Sequence, residues 1–533
     1  MLTGALLIAA LLAPATALDN TTSHIVAKLA TYGVDAYEYF NSSVLSDSSV
    51  RSRSLGFCSE LCSALPRLYP GHVLQRSTSA YSTWDASFWS QQQEEVDPAC
   101  VFQPSSSVEV AVGLLLTELT LCPFAVKSGG HAAFAGASNI QDGLTIDLVS
   151  LNSTTLSEDS TIASVGSGNR WVSVYEWLEP KGLSVIGGRV SDIGVGGLTL
   201  GANEAGGISF FSGIYGWACD NVANYEAVLA DGSIVNVNLD SHPDLYWALR
   251  GGGNNFGIVT RFDLTTHTQG LMWGGSRVWL ENYQASVLQA LIDFGNDSPS
   301  DPNAALIVSV AYAEGLYLFV ADLEYAKPVA NPPIFDGFNS TGALEDTMAI
   351  RSLSNITLLF KEDNPSGLRE SYWTGTVQLD YDLATNITNI FKEEIVPIQN
   401  VTGLVPALVW QVISTNTMEH MTKNGGNALG LDATDGPLLL INLAFMWDDE
   451  SDDAAVMAVL GSITAKALAA AKARGLDNDY LYMNYASQYQ SVVPSYGAAN
   501  QARLKEISRQ YDPLQVFETL QPGYFKLNGK VAL

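Results

Sequence analysis

From Cys100 onward the chain breaks into short apolar runs divided by glycine, the texture of strands and tight turns. Phe124 to Lys127, Leu144 to Leu148 and Thr161 to Val165 have strand length and composition. Ala223 to Ala230 and Ser233 to Val237 flank Asp231-Gly232, a dipeptide that supplies the positive φ of a hairpin turn. Between these runs, Val108 to Leu119 and Trp171 to Leu178 carry helical patterns. This part of the chain is α+β and dense in glycine turns.

From about Thr266 to Gly475 the glycines thin out and longer alternating strands are predicted, among them Ala304 to Tyr312, Leu316 to Ala321 and Pro437 to Met446. Ala454 to Ala473 follows as an alanine-rich helix, preceded by Asp448, Asp449, Glu450, Asp452 and Asp453. Acids suit the N-terminal dipole of a helix, so they read as its solvated start. A return to strand and a helix from Asn500 to Gln510 close the pattern. The change near residue 266 marks a domain boundary, with the C-terminal segment packing back on the first domain.

A length of 533 residues, at roughly 150 per domain, suits two or three domains. Lys plus Arg is 26 against 55 Asp plus Glu, a formal charge of −29, so nucleic acid is excluded as a partner. Hydrophobic residues at 47% place the chain among globular proteins. Leu6 to Ala13 is apolar and Ala15-Thr16-Ala17 gives a small-x-small pattern, read as a secretory signal over residues 1–17. The run is too short for a membrane span, and no later apolar stretch is expected to span one. Eight Asn-x-Ser/Thr sequons, at Asn20, Asn41, Asn152, Asn296, Asn339, Asn355, Asn386 and Asn400, fit the same extracellular route. Of the cysteines, Cys58, Cys62, Cys100 and Cys122 cluster early, while Cys219 stands apart. One or two disulfides are expected to staple the first helical segment, with the pairing open. No His pair stands at metal-ligand spacing, so no metal is expected.

Three glycine clusters carry the chemistry. Lys127-Ser128-Gly129-Gly130-His131 follows directly on the strand Phe124 to Lys127, and successive glycines let main-chain N–H groups converge on a diphosphate. The second cluster runs from Gly187-Gly188 through Gly194-Val195-Gly196-Gly197 to Gly201, and the third is Arg250-Gly251-Gly252-Gly253-Asn254-Asn255-Phe256-Gly257. None has Walker or Rossmann spacing. His131 is held among glycines and alanines, with no helix face to pack on.

These residues resemble a known family. The runs "PFAVKSGGHAAFAGAS", "GVGG", "ACDNVANYEAVLADG", "DLYWALRGGGNNFGIVTRFDL", "YMNYA" and "YDPLQVFETLQPGYFKL" are similar to the berberine-bridge-enzyme-like flavoproteins of the vanillyl-alcohol-oxidase superfamily, in their secreted fungal form. The resemblance covers Cys58 to Leu527. It implies a helical segment over 18–94, a two-lobed PCMH-type FAD-binding domain over 95–268 and a substrate domain over 269–474. That second domain would carry an antiparallel sheet flanked by helices, and residues 475–533 would complete the first. It also implies an FAD-linked oxidoreductase that takes a hydride from a small-molecule alcohol, sugar or specialised metabolite, with oxygen or another acceptor reoxidising the flavin.

Carried over by position, His131 is the expected single covalent link to the 8α carbon of FAD, since Val190 stands where doubly linked relatives have cysteine. Ser128, Gly129, Gly130 and Gly136 would line the pyrophosphate, and the cofactor set also takes in Ser138, Gly188, Gly194, Gly197, Gly201 and Ile258. Ile193 stands where oxygen access is decided. The chain departs from the family by inserting Ala202-Asn203-Glu204-Ala205 beside the flavin. Tyr482 is the expected base, with Asn484 on the same face of a strand as a polar contact, and Tyr485 is the fallback. A phenol serves as a base only if a nearby charge favours phenolate. A second reading is a secreted, glycosylated binding protein that keeps the fold without turnover.

Overall fold

The computed structural model describes residues 15–41, 44–45, 58–201 and 207–529. The apolar run Leu6 to Ala13 and the insertion Ala202 to Ala205 lie outside the described residues. Within the N-terminal helical segment, helix α1 (Cys58–Leu68) carries two of the cysteines. Cys58 and Cys62 stand one turn apart on one face of it. Each therefore reaches a different strand region: Cys58 bonds Cys122 and Cys62 bonds Cys100.

Strands β1 (Cys100–Phe102), β2 (Phe124–Lys127) and β3 (Leu144–Asp147) form a small sheet in which β3 lies parallel between the other two. Helix α2 (Ser107–Thr120) crosses over from β1 to β2. Ser106 caps it by accepting from the Glu109 N–H, and Leu121 ends it in the left-handed region at φ 51°. Its residues from Val110 to Thr120 are buried on every side. The reason is its place: α2 shares one apolar cluster with Leu144 and Ile146 of the first sheet and with Val228 and Ile258 of the second.

The second sheet is antiparallel. Its centre runs in the order β4 (Ile162–Gly166), β7 (Ile258–Thr268), β5 (Val222–Val228), β6 (Ile234–Val237), with helix α3 (Trp171–Leu178) packed in the same core. Gly232, at φ +73°, makes the β5–β6 turn.

Between Thr268 and Met272 the chain enters a nine-stranded antiparallel sheet. Its long strands are β8 (Met272–Leu280), β9 (Ala304–Ala313), β10 (Leu316–Tyr325), β11 (Arg369–Gln378), β12 (Val405–Ile413) and β13 (Leu438–Trp447), in the spatial order β8-β10-β9-β12-β13-β11. Strand alternation gives each side its character. Leu408, Trp410, Ile441 and Phe445 face a core shared with α4 (Gln284–Asp297), α5 (Tyr381–Glu394) and α6 (Asp453–Lys472). The intervening residues, among them Ser309, Ala407, Val409 and Ala444, face the first two sheets.

Helix α6, with the turn before it, is long and apolar enough to cross a membrane by length and composition, contrary to the expectation that no later segment would be. Val456, Leu460, Ile463, Ala467 and Ala471 form a buried stripe against the sheet, and Lys466 pairs with Glu394 of α5. Helix α7 (Ala498–Tyr511) then leads the chain back to the first sheets, where the Phe124 N–H donates to the Leu520 carbonyl at 2.6 Å and Asn255 Nδ2 donates to the Phe525 carbonyl at 3.1 Å. The strand and helix expectations hold to within a few residues except near Tyr482, described below. The fold is the expected α+β type, with an antiparallel sheet flanked by helices.

Candidate active site

The two smaller sheets meet through glycine. A β-carbon on Gly129 would lie 2.4 Å from the Gly194 nitrogen, and one on Gly196 would lie 3.0 Å from Ser128 Oγ. The Ser128 hydroxyl donates to the Ser167 carbonyl and accepts from the Gly196 N–H, tying the loop after β2 to the loop after β4. Beside this junction runs a cavity walled by Ser128, Gly129, Gly130, Ser138, Gly197 and Ile258. Asn254 and Gln521 close it. His131, next along the same loop, lines a second and wider cavity of about 280 Å³ between the glycine loops and the large sheet.

The second cavity is floored by alternate residues of the sheet. On β12 these are Val405, Ala407, Val409 and Gln411, with Gln411 opposite Ile307 of β9 and Val409 opposite Asn442 of β13. Tyr485 faces this cavity. Its oxygen accepts from Arg189 Nη2 at 2.8 Å and from Gln411 Nε2 at 3.0 Å. Two donors aimed at one phenol oxygen, one of them a guanidinium, stabilise the negative charge of a phenolate.

Tyr482 does not share that position. Residues Met483–Tyr485 form a 3₁₀ turn, not a strand. The Leu481 N–H goes to Ser495 Oγ and the Tyr480 N–H to Asn478 Oδ1, so side chains take the donors that a strand partner would need. Tyr482 is fully buried, its oxygen accepts from the Ile208 N–H at 3.0 Å, and its ring packs against Trp217 and Tyr485. Asn484 lies on another side, beside Ala132, Ala133 and Phe134, with its amide Nδ2 buried and without a partner among the described residues.

A short strap joins the two cavities. The Trp89 N–H donates to the Gly130 carbonyl, and Ser90 Oγ and Gln93 Nε2 both donate to the Ala132 carbonyl. The same stretch binds β11 through Gln92, and Arg369 at the start of β11 pairs with Glu95. Trp89 is thereby laid flat on the His131 imidazole, centroids 4.3 Å apart and planes 9° from parallel. Burial lowers the His131 pKa to about 4, leaving a neutral ring. On the opposite wall burial pushes Asp322 up to about 7, against the Ser276 hydroxyl that donates to it, and burial also raises Glu324, two residues on, well above the carboxylate range.

Of the residues expected at the cofactor, the structure brings Ser128, Gly129, Gly130, Ser138, Gly197 and Ile258 to the inter-lobe cavity, and His131 and Ile193 to the wider one. Gly136, Gly188, Gly194 and Gly201 line neither. Gly136 turns the loop at φ +79°, Gly188 packs on Trp171, Gly194 meets Gly129, and Gly201 ends a short helix at φ +92°. Asn254, from the third glycine cluster, also lines the inter-lobe cavity, while sequence reasoning missed Trp89, Arg189, Gln411, Glu370 and Gln521. Only Gln411 carried a local signal, as the one polar residue in the run Leu408-Val409-Trp410-Gln411-Val412-Ile413.

The glycine-walled inter-lobe cavity, with a neutral imidazole next along its loop and a buried amide at Asn484 that has no partner among the described residues, fits FAD. Comparison with known proteins agrees. A family model for an FAD binding domain matches residues 98–238. The FAD-dependent monooxygenase tpcD of Cochliobolus heterostrophus is 39% identical over 83% of this chain and 87% of its own length. The FAD-dependent monooxygenase FUP4 of Fusarium proliferatum is likewise 39% identical over 83% and 87%. In fold, 6-hydroxy-D-nicotine oxidase from Arthrobacter nicotinovorans aligns at a TM-score of 0.73 and 19% identity, over 87% of this chain and 98% of that one. Xylooligosaccharide oxidase from Myceliophthora thermophila, solved with xylobiose, aligns at 0.67 and 21%, over 86% and 97%. The chain belongs to the FAD-dependent oxidoreductases that these monooxygenases represent, and it shares the fold of the two oxidases.

Proposed function

We propose that the protein oxidises a hydroxyl-bearing small molecule, an alcohol, sugar or specialised metabolite, in the cavity between His131 and the large sheet. The observation that carries this reading is the Tyr485 oxygen, held by Arg189 and Gln411 on the wall that His131 also lines. FAD bound along the glycine loops supplies the two-electron acceptor, and dioxygen or another acceptor takes the electrons onward. Ser128, Gly129, Gly130, Gly197 and Asn254 would hold its phosphates and ribityl chain, and His131, neutral and flanked by Trp89, would hold its ring covalently.

The protein's own part is proton handling and exclusion of water. Tyr485, as phenolate, takes the substrate hydroxyl proton. Arg189 keeps that oxygen charged before the transfer, and Gln411 fixes its direction. Val409, Ala407 and Ile193 keep the reacting carbon in an apolar wall. Secretion belongs to the same reading and is supported by the two disulfides, which suit an oxidising compartment.

Anaerobic stopped-flow reduction tests the assignment. Tyr485→Phe should retain the yellow colour and slow reduction by about 10²- to 10⁴-fold, while Tyr482→Phe stays within a few-fold of wild type; the reverse order would refute it. Acid precipitation tests the attachment: wild-type pellets should keep the flavin and His131→Ala pellets should release it. Free FAD recovered from denatured wild type would rule out the bond.

A further inference from the structure

The end of the cavity away from Arg189 is polar in a way that proton transfer does not use. On β11, Glu370 and Tyr372 point to the same side, with Glu370 opposite Met446 and Tyr372 opposite Ala444. Trp89 reaches over from the strap, its ring 5.2 Å from that of Tyr372. The Gln92 amide accepts from the Glu370 N–H at 3.1 Å and donates to the Glu370 carbonyl at 2.9 Å, which clamps this residue between strap and sheet. Yet Glu370 Oε1 and Trp89 Nε1 are both buried without a partner among the described residues, in side chains of residues only 2% and 3% exposed that line one cavity. A buried acceptor and a buried donor left unmatched on the lining of one cavity are costly unless a ligand completes them.

Resting on the oxidoreductase reading above, we propose that Glu370 and Trp89 form a recognition subsite for an uncharged group that both donates and accepts hydrogen bonds, a carboxamide or lactam, at the far end of the alcohol substrate. Three observations fix the chemistry. The neighbouring Arg369 is turned to Asp453 and Glu95, so its guanidinium is already spent on other carboxylates. Burial holds the Glu370 carboxyl well above the carboxylate range, so it stands as a neutral acid that cannot serve as counter-ion to an ammonium. A substrate carboxylate would meet the acids Asp322 and Asp363 on the remaining wall. Between the subsite and Tyr485 the floor is Val405, Ala407, Ala444 and Met446, so the body of the substrate is apolar.

The test uses the holoenzyme under anaerobic conditions and reads binding by perturbation of the flavin absorbance. The probes are 4-(hydroxymethyl)benzamide and its two-ring homologue 4′-(hydroxymethyl)biphenyl-4-carboxamide, each against partners carrying methyl, aminomethyl or carboxylate in place of the carboxamide. At least one carboxamide should bind about tenfold or more tightly than its methyl partner, as expected where buried polar groups go unpaired without it. Glu370→Leu should collapse that ratio to about twofold or less while leaving the methyl compound's affinity in place, Trp89→Phe should collapse the ratio likewise, and Glu370→Gln, neutral and isosteric, should keep it. The subsite is wrong if no carboxamide is preferred, if the aminomethyl or carboxylate probe binds most tightly, or if the preference survives both Glu370→Leu and Trp89→Phe. Reduction of the flavin by any of these alcohols reports separately on the oxidoreductase reading: reduction without the preference leaves that reading standing and removes the subsite, and protein isolated without flavin removes both.

Discussion

At the scale of single residues, the charge next to Tyr485 decides how it works. Arg189 donates to its oxygen through a guanidinium, so Arg189→Gln should disfavour phenolate. The rise of the anaerobic reduction rate with pH should move upward by about 1 unit or more, and a pH–rate profile of the variant checks it. Asp322 gives a stability prediction. Its proton affinity rises on folding, to about 7 from the ordinary 3.8, so the native state binds the extra proton across that window and this group's contribution to stability falls as pH rises through it. Asp322→Asn removes that loss. The melting temperature of the variant relative to wild type should be higher at pH 8 than at pH 4.5, by about 2 °C, in calorimetry. Residues of this kind were only partly legible beforehand. His131 and its glycines stand together in the chain and declare themselves. Arg189, Gln411 and Tyr485 come from three separate stretches and meet only when the sheets do.

At the scale of elements, the sequence pattern was reliable wherever burial repeats along the element, as in α3 and the strands of the large sheet, and it failed at Tyr482. Apolar and aromatic residues in alternation read as strand, but the N–H groups there are taken by Ser495 and Asn478 side chains, distant or polar residues that no periodicity reports. The strap from Trp89 to Glu95 was equally hidden, because its hydrogen bonds go to two other elements and leave no repeat. The disulfides act at this scale too. Cys58–Cys122 and Cys62–Cys100 close loops of 64 and 38 positions around α1 and the strap. Replacing Cys58 and Cys122 together by serine should cost about 2 to 4 kcal/mol in denaturant unfolding, with bound flavin retained in the folded fraction. Loss of flavin with unchanged stability would contradict that division of roles.

At the scale of the whole molecule, the two lobes are joined where Gly129 and Gly194 touch main chain to main chain. Gly129→Ala places a methyl group 2.4 Å from the Gly194 nitrogen, a position nothing but backbone movement relieves. The variant should fold with lobes displaced, hold less than about a tenth of the wild-type flavin, a loss of 1.4 kcal/mol or more in retention, and melt at lower temperature; flavin absorbance per protein measures it. The same lobes depend on partners far along the chain. Leu520 supplies the acceptor for Phe124, Phe525 binds Asn255 across 270 positions, and Gln521 walls the inter-lobe cavity, while the entire large sheet is spelled out in between. A ribosome emits these segments in order, so the nascent chain carries β2, the glycine loops and His131 as an open half-shell while the large sheet is made and folded. Such high-separation contacts form late. Flavin capture is therefore a post-synthetic event, set by the arrival of residues 512–527, and half-shells lacking them are the species most exposed to aggregation and to quality control.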